Sequence, residues 1–170
     1  MMKLGATFRT VGTPWDHQGK SEISQIFISS SRYMLDFIQF AYVEDGNVVL
    51  SDKIGGGAGS SNLQTITFDY PSEYITRVNG AYVNDETSKK LCSITFYTNK
   101  RKYGPYGPGL CTDHFDLIDF QEMDSYLDEF NYEVGGNFWG FFGTCKSKGI
   151  ESIGLYMKPR QLANRSGPTR

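Results

Sequence analysis

Cysteine and histidine are scarce: Cys92, Cys111 and Cys145, with His17 and His114, in 170 residues. An odd, widely spread cysteine set builds no disulfide framework and fits reduced thiols in a cytosolic protein. Zinc is excluded on similar grounds. Cys111 and His114 form one close pair, and a four-ligand site needs a second. No stretch approaches the roughly 20 apolar residues of a membrane-spanning helix. The opening Met1-Met2-Lys3-Leu4-Gly5-Ala6 has no apolar run of the secretory kind. A net charge of −2 supplies no bulk field for nucleic acid or an anionic membrane. These absences give the expectation of a cytoplasmic protein with no metal, no cofactor and no nucleic-acid or membrane partner.

Catalytic machinery is equally thin. A hydrolase needs a nucleophile, a base and an orienting group. His17 sits in the polar turn Trp15-Asp16-His17-Gln18-Gly19, and His114 follows Cys111-Thr112-Asp113 with no oxyanion-hole motif nearby. The glycine run Gly55-Gly56-Gly57-Ala58-Gly59 continues into Ser60-Ser61-Asn62 rather than the Lys-Ser/Thr of a phosphate loop. A hairpin or bulge loop is the better account of it. The expectation is therefore no enzyme.

What the chain does have is aromatic residues, 15% of the total, and 19 glycines. Short runs rich in Ile, Phe, Tyr, Val and Thr recur at near-regular spacing, among them Ile23–Ile28, Leu35–Val43, Leu63–Phe68, Leu91–Tyr97, Phe138–Phe142 and Ile153–Met157. Gly, Asn, Asp, Pro or Ser separates them, the pattern of an all-β fold built from hairpins. In Ser93–Thr98, Ile94 and Phe96 share one face with polar neighbours opposite, so one face is buried and the other solvated. Glycine clusters near Gly12, at Gly55–Gly59 and at Gly104–Gly109 point to three units of about four strands each.

Helical periodicity is confined to Phe120–Phe130, where Phe120, Met123, Leu127 and Phe130 fall on one face. The surrounding span, 116–133, carries seven acids and no base. Lys89-Lys90 and Lys100-Arg101-Lys102 are the basic clusters. At strand ends such charge discourages edge-to-edge pairing, which fits the acidic net charge better than nucleic-acid contact does. One domain is expected over 1–160, with an acidic insertion at about 119–136 and a disordered tail over 161–170.

Several segments in this order resemble the plant jacalin-related lectins. They are Trp15-Asp16, Gly19 and Ile23-Ser24-Gln25-Ile26; Ile38–Tyr42; the Gly55–Gly59 loop; Asp69–Ile75; Thr98–Arg101 with Tyr103–Gly107; Gly140–Gly143; and Ile153–Tyr156. The resemblance covers about residues 5 to 158. It implies a β-prism of three four-stranded antiparallel sheets with pseudo-threefold symmetry. It also implies carbohydrate binding at one pole, no metal, and frequent homo-oligomers. Its partners would be mannose- or glucose-containing glycans. A divergent subgroup acts in plant defence, including restriction of viral movement, and could engage defence or viral proteins instead.

In that family the sugar is held by an N-terminal glycine and by a Gly-x-x-x-Asp loop before the last strand. The carbohydrate-binding residues implied here are Gly12, Ser147, Lys148, Gly149 and Glu151. This chain departs from the pattern in both loops. Phe8-Arg9 and Val11-Gly12 stand where paired glycines are usual, Ser147 stands at the Gly position and Glu151 at the Asp position. Ser147 brings a Cβ to a place where positive φ is expected. Glu151 carries its carboxylate one methylene further out. The acidic insertion is expected at the pole opposite the sugar loops. Tyr103 and Tyr106 read as turn and packing residues.

Overall fold

A computed structural model of the protein describes residues 1–32, 34–56, 62–85, 88–108 and 127–160. Within them there are strands and no helix. The first sheet joins the chain's first and last strands. It runs β1 (Met2–Leu4), β13 (Ile150–Lys158), β12 (Asn137–Cys145) and β2 (Thr13–Asp16). The second runs β5 (Asn47–Leu50), β4 (Leu35–Glu44), β3 (Ile23–Ser30) and β7 (Asn62–Thr67), with the two-residue β6 (Ile54–Gly55) also on β4. The third runs β10 (Lys102–Tyr106), β9 (Ser88–Thr98), β8 (Ile75–Asp85) and β11 (Leu127–Glu133). Every pairing is antiparallel. The expected all-β prism of three sheets is what these residues form.

Alternation explains why the sheets face one another. Ile26 and Ile28 on β3, Ile38 and Phe40 on β4, and Ile94 and Phe96 on β9 point inward and are buried. At the centre Phe141 of the first sheet meets one aromatic from each of the other two. Phe40 stacks on Phe141 at 5.1 Å, and Phe96 meets Phe141 edge-on at 6.1 Å. Burying each such ring contributes about 1.5–3 kcal/mol. Tyr82 of β8 reaches across to the first sheet: its hydroxyl donates to the Ile153 carbonyl at 3.2 Å and accepts from the Ile153 N–H at 3.0 Å. That exchange satisfies a buried backbone pair and fixes the third sheet's position against the first.

The 146–149 turn between β12 and β13 lies beside the start of β4, where Gly149 neighbours Met34 and Leu35. One sequence expectation is corrected here. The helix over Phe120–Phe130 does not extend to Leu127–Phe130, which pairs with Val83–Gly80 as strand; residues 120–126 lie outside the described residues. On β11, Phe130 and Tyr132 alternate inward against Tyr82, so period two overrides the coincidental helical spacing. The acidic insertion expected at about 119–136 is strand β11 over Leu127–Glu133, and residues 119–126 lie outside the described residues. At the start of β11, Asp128 pairs with Lys89, whose ammonium lies over the Phe8 ring.

Candidate carbohydrate-recognition site

Gly12 and Glu151 meet at one pole of the prism. Gly12 enters β2 beside the end of β12, and Glu151 is the second residue of β13. The Glu151 carboxylate is 2% exposed. Its Oε1 accepts from the Gly12 N–H at 2.8 Å, the Val11 N–H at 3.0 Å and the Thr144 hydroxyl at 2.8 Å. Its Oε2 lies 3.2 Å from the Val11 nitrogen and 3.5 Å from Lys146 Nζ. Two successive backbone amides aimed at one oxygen make an anion-holding concavity, and the carboxylate fills it. Burial works to raise its pKa, but the Gly12 amide, Thr144, the Val11 amide and Lys146 outweigh burial and hold it below the ordinary carboxylate value. The group is charged and hydrogen-bonded inside the protein.

Glycine at position 12 has a steric reason. A Cβ there would fall 2.6 Å from the Cys145 carbonyl oxygen and 3.1 Å from Glu151 Oε1. The 146–149 turn closes with Lys146 N–H donating to the Gly149 carbonyl at 3.2 Å. Positive φ falls on Gly149, at +86, and not on Ser147, so the strain expected at Ser147 does not arise. Gly149 is buried, next to Met34, and its N–H points to the Gly56 carbonyl at 3.4 Å. Ser147 and Lys148 are exposed on the rim.

The five residues implied by sequence therefore gather at one pole, in two states. Ser147 and Lys148 face solvent, whereas Gly12, Gly149 and Glu151 are engaged with protein partners. Thr144, Val11 and Lys146 complete the cluster and were not foreseen. Their only sequence signal is adjacency to Gly12 and the final loop.

A second buried carboxylate, Glu73, holds the other pole. It accepts from the Asp69 N–H at 2.8 Å, the Thr98 hydroxyl at 2.6 Å and the Tyr103 hydroxyl at 2.8 Å. Burial opposes its ionisation, yet Thr98, the Asp69 amide, Tyr103 and Arg101 keep its pKa below the ordinary value. Burial, then the hydrogen bond to Glu73, pushes the Tyr103 phenol up to about 12. The Asp69–Ile75 and Thr98–Arg101 motifs are thus one structural clasp, and Tyr103 is a packing residue as expected. The basic residues behave likewise: Lys100 pairs with Asp69 at 2.6 Å and Lys89 with Asp128 at 2.5 Å. Among the described residues no group of His, Cys, Asp and Glu is arranged to hold a metal ion. Cys111 and His114 lie outside the described residues.

A prism of three antiparallel sheets that brings Gly12 and the final loop together at one pole is a scaffold suited to recognition by loops. The family model for the Jacalin-like lectin domain matches residues 4–156, and the chain belongs to that family. It is 36% identical over 154 residues to Protein RESTRICTED TEV MOVEMENT 1 of Arabidopsis thaliana, covering 87% of this chain and 79% of that protein. It is 30% identical over 150 residues to Jacalin-related lectin 2 of the same plant, covering 85% and 77%. Among solved structures it is similar to a mannose-binding jacalin-related lectin from Ananas comosus, with a TM-score of 0.66, 28% identity and coverage of 94% and 96%.

Proposed function

We propose that this is a jacalin-type recognition protein of plant antiviral defence, acting in the cytoplasm, with mannose- or glucose-type sugar binding weakened. One observation carries this reading. The Gly12 N–H, which the resemblance assigns to a sugar hydroxyl, donates instead to a Glu151 carboxylate that is 2% exposed. A monosaccharide would have to displace internal bonds of the strength it offers in return. Hydrogen bonds to a charged group contribute about 1.5–3 kcal/mol each, so the exchange leaves little surplus for affinity. The antiviral setting is supported by the likeness to Protein RESTRICTED TEV MOVEMENT 1. A protein target would meet the exposed rim, Ser147 and Lys148, rather than the closed clasp.

A second reading, a mannose- or glucose-binding lectin, is favoured by the gathering of Gly12 and residues 147–151 at one pole. Titration calorimetry with mannose and galactose separates the two. Negligible heat from wild type, with heat appearing in Glu151→Asp, supports the first. Wild-type mannose binding at least as tight as that of Glu151→Asp overturns it in favour of the second.

A further inference from the structure

β11 is an edge strand of the third sheet. It pairs with β8 along its whole length, and among the described residues no strand lies on its other side. The ladder fixes which of its backbone groups are free. The Val134 N–H donates to the Thr76 carbonyl at 2.9 Å, so these two residues form a hydrogen-bonded pair. The same register runs unbroken from Glu133–Arg77 to Leu127–Val83, with bonded and non-bonded pairs alternating. Tyr132–Val78, Phe130–Gly80 and Asp128–Tyr82 are then the bonded pairs. Leu127, Glu129, Asn131 and Glu133 turn their N–H and C=O groups away from β8.

The two faces of this edge differ. On the inner face Phe130 lies 5.1 Å from Tyr82 and 4.9 Å from Tyr132, ring centre to ring centre. A cavity of about 210 Å³ opens there between Gly5–Phe8 and Asp128–Tyr132, with the Phe8 ring in its wall. On the outer face Glu129 and Asn131 border a trough of about 440 Å³ lined by Asn79, Ser93 and Thr95. Charge is uneven along the strand. Asp128 pairs with Lys89 and Glu133 with Arg77, whereas Glu129 is exposed and has no ion pair among the described residues.

We propose that the free edge of β11 takes up an extended peptide segment of another protein, added as a further strand, in which apolar and basic residues alternate. Main-chain bonds to Glu129 and Asn131 would hold it, the usual source of affinity in strand addition. Its side chains fall alternately on the two faces. The apolar set enters the cavity beside Phe8, Phe130 and Tyr132, and the basic set lies beside the unpaired Glu129 carboxylate. Charge also decides against a second copy of this chain, because β11 against β11 sets acid against acid. The edge shares no residue with the Gly12–Glu151 cluster, so its occupancy is independent of sugar binding.

A blocked peptide of alternating valine and lysine, as long as the 7 residues of β11, serves as the probe. It is titrated into the isotope-labelled full chain and followed by amide NMR. Shift changes are expected to concentrate on 127–133, with exchange of the Glu129 and Asn131 amides slowed by about tenfold or more as they become bonded. Asn131→Pro removes an N–H that β8 does not use, and Glu129→Lys reverses the unpaired charge. Each is expected to weaken binding by about tenfold or more. Circular dichroism identifies the variants that keep the wild-type fold, and the exposed Glu129→Lys is expected to keep it. Two control peptides, one with glutamate for lysine and one with its valines and lysines in separate blocks, are expected to bind more weakly by a similar factor. A wild type whose β11 amides do not respond to the alternating peptide overturns the proposal. So does equal binding of either control, or binding undisturbed in the folded variants.

Discussion

The Gly12 N–H and the Glu151 carboxylate meet at 2.8 Å across a sequence separation of 139 residues. This contact ties the N-terminal loop to the start of the last strand. It also engages the amide and the carboxylate that the family resemblance assigns to a sugar. Side-chain length decides the matter, because the extra methylene of Glu lets the carboxylate reach both the Val11 and the Gly12 amides.

Glu151→Asp is therefore expected to free the Gly12 amide and to strengthen mannose binding by about tenfold or more, the return of roughly one hydrogen bond. Titration calorimetry measures it. Affinity that stays the same or falls would count against the clasp as the cause of weak binding.

Glu151→Ala removes the acceptor altogether. The Val11 and Gly12 amides and the Thr144 hydroxyl lose their partner in a largely buried site. Each stranded donor costs about 1–3 kcal/mol where water cannot reach it. Urea unfolding should show a loss in that range for the variant as a whole, water replacing part of the lost bonding at the Val11 edge. A loss within error of zero would mean that the clasp contributes nothing to stability.

The pH profile of stability should have two limbs. Burial first, then Lys20, holds the His17 imidazole below its ordinary value of 6.5, against the opposing pull of Asp16 and Asp52. The unfolded chain takes up that proton more readily, so stability is full above 6.5 and declines as pH falls from 6.5 towards the folded value. Glu151 and Glu73 are depressed below their ordinary 4.5. Their contribution is present above 4.5 and is lost as pH falls through the folded values. Urea midpoints measured across pH should show both declines. His17→Gln should flatten the upper limb and Glu73→Gln should shrink the lower one.

Tyr82→Phe tests how the sheets are held together. The ring still fills its place, but the Ile153 N–H and C=O lose the hydroxyl that serves them. The expected loss is about 1–3 kcal/mol, read from chemical denaturation. A neutral substitution would show that the packed ring alone fixes the third sheet.

Much of the scaffold was legible because strand alternation and turn residues are local signals. Ile94 and Phe96 were placed on a buried face from neighbours alone, and both are fully buried. Leu127–Phe130 was not legible. Its i, i+3 spacing fits a helix, and only pairing with β8, an element some forty residues earlier, makes it strand. That Gly12 and Glu151 lie together followed from the family resemblance. The engagement of Glu151 did not, since it depends on where the Val11 and Gly12 amides point and on the reach of one side chain. The strain expected at Ser147 failed for a related reason: the turn puts its left-handed residue at Gly149.

The pairing of Met2 with Met157 in the first sheet has a consequence for engineering. The chain enters and leaves the prism at neighbouring points, so a short linker can join those points. The exposed Asp45-Gly46 turn, where a Cβ at Gly46 would meet nothing within 4 Å, offers a place for new termini. A circular permutant opened there keeps every strand of the three sheets. It would separate the connectivity of the chain from the chemistry of its pole.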